Sequence, residues 1–412
     1  MISSNWYKLN NIGKLYASTA NMKPPKVFRY SAYLKENIEE NILQEALNLT
    51  LEVYPSFRVN LKKGLFWYYL EETNKKVIVT KENLPICFKL YNNSDDLLIR
   101  ISYYENRINF EASHIISDGR GGVEFFKLLV ANYISIKHNI EIPRTNTEGS
   151  LFEKSEDSFQ KYFEKTSFNK REKLKTYKYK GKKFKNQTQF LETNLDIKKV
   201  LDLSHKYNTT LAIFLTAVTI YSFRDVIKTE DLNKYIKIAV PVDLRPFFKS
   251  NSTTNFFGMI SIKYKFSSKE DSLEEIIEEV KRQFKEEITP EKLKNRANKM
   301  VMLERLWAYR WVPVWFKDFV LNIAKRINNN GSSTNFSNIG KIEFDKNIEN
   351  YIEKISAMMS SDSFQLISCT FKDNLCITIS NAFVNNDIIK NFCRFFVEKG
   401  IEVSINCNEI ED

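Results

Sequence analysis

Moving a proton near neutral pH calls for an imidazole, and this chain holds only three histidines. Two of them, His138 and His205, stand in polar surroundings with no motif around them. The third opens the run His114-Ile115-Ile116-Ser117-Asp118-Gly119-Arg120-Gly121-Gly122, four residues ahead of a carboxylate and at the head of a glycine cluster. His114 is therefore the candidate general base. Plainer readings stand beside that one. A histidine at a strand end is more often structural than catalytic, and Asp118 is a good helix cap. The glycines are ordinary turn residues, and their spacing matches neither common phosphate-binding loop.

The elements around the run must position it. Residues 97–104 and 108–116 alternate apolar and polar side chains about a polar break at 105–107, the pattern of an antiparallel hairpin. Downstream, apolar residues recur at helical spacing from Val123 and end near His138. His114 is thus expected near a strand end, with Asp118-Gly119 as the turn into a helix. A rigid strand fixes a base, and a glycine-rich turn leaves room for a substrate. The plan recurs late in the chain. Residues 364–371 and 375–383 flank the turn 372–374, and helical spacing follows from Asp387 to Phe396. Laid turn against turn, Asn381 falls at the place of His114 and Asn385 at that of Asp118. This predicts an internal structural repeat with one active site per chain.

HxxxDG at a strand-to-helix junction resembles the signature of the chloramphenicol-acetyltransferase-like superfamily, which includes plant acyltransferases, peptide-synthetase condensation domains and alcohol acetyltransferases. Pro241-Val242-Asp243-Leu244-Arg245-Pro246 and Asn335-Phe336-Ser337-Asn338-Ile339-Gly340 extend the resemblance in order, so that it covers essentially the whole chain. HIISDGRGGVEFFKLL is most similar to the alcohol acetyltransferase branch; the DFGWG of the plant enzymes is absent, and NFSNIG stands near its place.

The resemblance implies an α/β protein of two acetyltransferase-like halves, each a two-layer α+β sandwich, with a tunnel at their interface. Residues 1–164 would form the half carrying HxxxDG, 165–187 a basic crossover, and 188–412 the second half. It implies acyl transfer from acyl-CoA, acetyl-CoA for instance, to a hydroxyl in a single step, with no covalent enzyme intermediate and no tightly bound cofactor. His114, Asp118 and Gly119 are then the catalytic set. His114 takes the proton, and Gly119 keeps a side chain out of the channel. The family's aspartate at Asp118 is structural, and Arg245 would be its ion-pair partner. Asn335, Ser337 and Asn338 are candidate donors to the oxyanion or the substrate. Two alternatives remain: an acyl carrier protein as donor with an amine as acceptor, and a catalytically inactive binding module. The intact His114, Asp118 and Gly119 argue against the module.

Composition bounds the partners. Ten Lys or Arg against a single Glu between 165 and 185 supply most of the chain's net charge of +11. A solvated crossover accounts for that window; so does attraction of coenzyme A phosphates or an acidic carrier protein. Phe168, Tyr177, Tyr179 and Phe184 interleave the lysines, yet no nucleic-acid fold accompanies them, so nucleic acid is not expected. Trp307, Trp311 and Trp315 lie four apart, interrupted by Pro313. They read as a core stripe, as the wall of an acceptor pocket, or as an in-plane membrane contact flanked by Arg305, Arg310, Lys317, Lys325 and Arg326. The five cysteines have no metal-ligand spacing, so no metal is expected and free thiols are. The first residues lack a signal-peptide core, and no apolar run reaches the roughly 18 residues of a membrane span. A cytoplasmic monomer is expected.

Overall fold

The hairpin before His114 forms where the alternation placed it. Ile99–Tyr104 pairs antiparallel with Arg107–Ser113, and Glu105 turns between them at a φ of 50°. In the computed structural model, residues 5–410 are described, except 21–22, 142–149, 167–173, 186, 306–310 and 328–330. The hairpin belongs to a sheet ordered Ile352–Met359, Val27–Leu34, Arg107–Ser113, Ile99–Tyr104, Thr80–Lys81. Helices Glu40–Val53 and Gly119–His138 bury Leu43, Leu47, Phe125, Phe126 and Leu129 in one core with Ile101 and Phe110 of this sheet.

A second sheet runs Phe257–Tyr264, Ile236–Asp243, Thr334–Lys341, Phe364–Phe371, Asn374–Asn381, Gln189–Asp196, Ser404–Cys407. Helices Ile197–Lys206, Leu211–Tyr221, Leu273–Glu287 and Asp387–Glu398 share its core. The stretch from Phe214 to Ile220 is buried on every side, which is why its sequence has no polar stripe. A smaller sheet, Trp6–Lys8, Tyr68–Glu72, Val59–Lys63, completes the set. The protein is a mixed α/β chain of two sheet-based units.

The two hairpins have equivalent neighbours. The strand leading to His114 pairs antiparallel with Val27–Leu34, while its hairpin partner runs parallel to Thr80–Lys81. The strand ending at Asn381 pairs antiparallel with Gln189–Asp196, while its partner runs parallel to Thr334–Lys341. A helix follows each hairpin after a short loop. The repeat expected from the sequence is thus present in topology.

Two features depart from a simple division of the chain. The strand Ile352–Met359 leaves the second unit and pairs antiparallel with Val27–Leu34 at the edge of the first sheet. The boundary expected at 165–187 therefore divides the sequence but not the sheets. The late hairpin also faces both cores. Ile367, Cys369, Phe371 and Cys376 pack into the first, and Leu366, Leu375, Ile377 and Ile379 into the second. Side chains alternate across a strand, so contact with both cores explains why apolar residues fall on both faces of these strands.

The basic crossover is anchored at a few points, while Lys175, Lys180, Lys182, Lys183 and Lys185 are exposed. Thr176 bridges Tyr235, Lys183 bridges Phe383, and Tyr177 is buried. Cys87, Cys369, Cys376 and Cys393 are buried free thiols, and Cys407 is exposed. No helix among the described residues is long and apolar enough to cross a membrane.

Candidate active site

Strand Arg107–Ser113 delivers His114, whose backbone N–H donates to the Lys26 carbonyl at 2.9 Å. Its ring lies between Phe28, edge-on at 4.9 Å, and Tyr16, at 5.2 Å. Burial in that aromatic setting pulls the imidazole down to about 4; the Asp118 charge opposes the shift, and Lys26 adds to it. The Asn255 side chain and the Ser117 carbonyl favour the cation, though by less than burial disfavours it. At neutral pH His114 is therefore uncharged and able to accept a proton. Its Nδ1 is buried and makes no hydrogen bond among the described residues, and the same holds for Asn255 Oδ1. These two residues are already joined, because Asn255 Nδ2 donates to the His114 carbonyl at 2.8 Å.

Asp118 faces away from that chemistry. It caps the helix Gly119–His138, its Oδ1 accepting from the Gly121 N–H at 2.8 Å. Both carboxylate oxygens also take a fork from Arg245 at 3.1 Å, and Oδ2 accepts from the Phe256 N–H at 2.7 Å. Arg245 is equally committed. Nε donates to Ser252 O at 2.9 Å, Nη1 to Asp243 at 2.9 Å, and Nη2 to Thr254 O at 2.7 Å. With the fork to Asp118, all five guanidinium donors are used. The cap and the ion pair are one arrangement, and it ties the turn after His114 to the segment 252–256 of the other unit.

Glycine is needed for that closeness. A Cβ on Gly121 would stand 2.0 Å from the Thr253 carbonyl oxygen, to which Ser117 Oγ donates at 2.6 Å. At Gly119 a Cβ would crowd Ile339 and the Tyr30 hydroxyl, which donates to the Gly119 carbonyl at 2.8 Å. Through Ile339 the strand Thr334–Lys341 reaches the turn, and the three polar candidates lie on this strand. Asn335 Oδ1 accepts from Ser332 Oγ at 3.2 Å, Ser337 is half-buried, and exposed Asn338 accepts from Gly340 N and Ser368 Oγ, both at 3.1 Å.

The two described tryptophans of the stripe do not join a core. Trp307 lies outside the described residues, and Trp311 and Trp315 are exposed, because Val314–Ile327 begins a new helix after Pro313 and turns Trp315 outward. Sequence reasoning missed Tyr16, Phe28 and Asn255. The polar run from Ser250 to Asn255, set between an apolar strand and Phe256-Phe257, was a loop signal that could have drawn attention to Asn255.

At the level of sequence, no family model and no curated protein matches the chain. Solved structures do match. Polyketide synthase associated protein 5 from Mycobacterium tuberculosis aligns at 12% identity and a TM-score of 0.62 over 94% of this chain and 96% of that one. Trichothecene 15-O-acetyltransferase from Fusarium sporotrichioides aligns at 13% identity and 0.61 over 95% and 93%. The starter condensation domain of rhizomide synthetase in complex with C8-CoA aligns at 11% and 0.64 over 95% and 94%. The chain therefore has the chloramphenicol-acetyltransferase-like fold that condensation domains share with acyltransferases.

Proposed function

We propose that the protein transfers an acyl group from a coenzyme A thioester to a hydroxyl, with His114 as general base. The observation that carries this reading is the neutral, buried His114 at a strand end, closed over by a segment of the other unit. The imidazole takes the proton as the acceptor oxygen attacks the thioester carbon. A C–O bond forms and the carbonyl becomes an oxyanion, for which Asn335, Ser337 and Asn338 remain the candidate donors. The C–S bond then breaks, the carbonyl reforms, and the departing thiolate recovers the proton. Ester and free thiol leave, and His114 is neutral again. The imidazolium exists only between the two steps; burial disfavours it and the Asp118 charge favours it.

Two of the similar proteins favour this chemistry by their own descriptions, one as an O-acetyltransferase and one in complex with C8-CoA. A second reading, transfer from a carrier-protein thioester to an amine, is favoured by the match to a condensation domain at a TM-score of 0.64 over 96% of both chains. Incubation with acetyl-CoA and a panel of alcohols should release free thiol only when both are present. Release only with a charged carrier protein would select the second reading. Tight binding of acyl-CoA with no release from either donor would mean a binding module.

A further inference from the structure

From Trp315 to Ile323 the helix Val314–Ile327 is turned inside out. Lys317 is 5% exposed and Asp318 is largely buried, while Trp315, Phe316, Phe319, Val320 and Ile323 are exposed. Trp311, just before the helix, is 63% exposed. Polar contacts hold this orientation. Lys317 Nζ donates to the Phe66 carbonyl at 2.9 Å and lies 3.7 Å over the Trp67 ring. Asp318 accepts from Tyr68 Oη at 2.8 Å and pairs with Lys63 at 3.0 Å. The hairpin that supplies these partners also presents Leu65, 69% exposed, and its carbonyl accepts from the Val314 N–H at 2.9 Å. Seven large apolar side chains thus share one end of the molecule. Scattered exposed apolar residues need no explanation, but a contiguous set on an inverted helix does.

The charge beside this face selects its occupant. Lys14 lies 4.6 Å over the same Trp67 ring, Lys8 and Lys317 act on it electrostatically, and Lys63 is half exposed. Of these lysines Lys8 and Lys63 face solvent, whereas Lys317 is buried and burial pulls Lys14 down to about 7; Asp157 and Asp318 stand opposite them, in a chain of net charge +11. A second copy of the chain would bring a second net charge of +11 against the first. Aromatic side chains project beside cations where a protein rests on a lipid surface, the rings entering the acyl boundary and the cations meeting anionic headgroups.

We infer that the exposed face of the helix from Trp315 to Ile323, with Trp311 and Leu65, docks on an anionic lipid bilayer, lying in the interface without crossing it. This does not depend on the acyl-transfer reading, since it concerns binding alone. The test uses the full-length protein and sucrose-loaded vesicles of phosphatidylcholine with and without phosphatidylglycerol. Sedimentation with the anionic vesicles is expected, weakening as salt rises, together with a blue shift of tryptophan emission. Trp315→Ser with Phe319→Ser should lower vesicle affinity on the order of tenfold or more while the thermal transition is kept, because both side chains are solvated in the free protein. Equal binding to neutral and anionic vesicles, or none to either, overturns the inference. So does a dimer in light scattering that these substitutions dissolve, which would assign the face to a second copy.

Discussion

Protonating His114 places a cation between Phe28 and Tyr16, and burial there holds its pKa at about 4 against an ordinary value near 6.5. The unfolded chain binds this proton below about pH 6.5 and the folded chain only near 4. The stability that comes from keeping the ring neutral is therefore full above 6.5 and is lost as pH falls through 4. The difference approaches about 3 kcal/mol at the bottom of the window. His114→Leu should flatten the fall in melting temperature between pH 6.5 and 4; an unchanged fall would mean that burial does not depress this group. The same shift sets the pH profile of the reaction. The acid limb of kcat/KM should lie well below pH 6.5, so that activity persists where an ordinary imidazole is already charged. His114→Ala should cost roughly 10²–10⁴ in kcat, the range of general-base catalysis, with coenzyme A affinity retained. Wild-type turnover in that variant would remove His114 as the base.

The turn after His114 is held by charge, and its cost can be measured there. Asp118→Ala strands the Arg245 guanidinium and leaves two N–H groups, Gly121 and Phe256, without their acceptor. Breaking one side of a buried pair costs about 3–5 kcal/mol. Asp243 and two backbone carbonyls stay on Arg245, so the lower end of that range is expected by denaturant titration. Asp118→Ala should lose activity and stability together, whereas His114→Ala at neutral pH should lose activity alone. A stable but inactive Asp118 variant would argue for a direct role in the chemistry. Hairpin, turn and helix were legible in the sequence because period 2 and period 3.6 meet at a glycine cluster. The Asp118–Arg245 pair was legible only through family resemblance, since 127 residues separate the partners. Tyr16 and Phe28 were not legible at all. Nothing local marks an aromatic side chain as the neighbour of a histidine about 90 positions away, and the tertiary fold alone brings them together.

The two units are joined more deeply than their shared topology suggests. Glu192, on Gln189–Asp196 of the second sheet, is buried; it accepts from Tyr33 Oη at 3.2 Å and pairs with Lys354, which lies 4.1 Å over the Tyr33 ring. Tyr33 belongs to the first sheet by sequence, whereas Lys354 belongs to it only because Ile352–Met359 crosses over. That crossing was hidden in the sequence, where nothing local assigns 352–359 to the first sheet. Its consequence is testable by cutting the chain at residue 164. The fragment would lose the edge strand, leaving the N–H and C=O groups on that side of Val27–Leu34 unpaired, along a strand that is almost wholly buried in the intact protein. It would also lose the face of the late hairpin that fills the first core with Ile367, Cys369 and Phe371. An open edge beside exposed apolar surface is a template for aggregation. The 1–164 fragment should therefore be insoluble or molten when made alone, and co-expression with 165–412 should recover a soluble complex. A cooperative thermal transition in the isolated fragment would show that the crossing strand is an attachment and not part of the first unit's folding core.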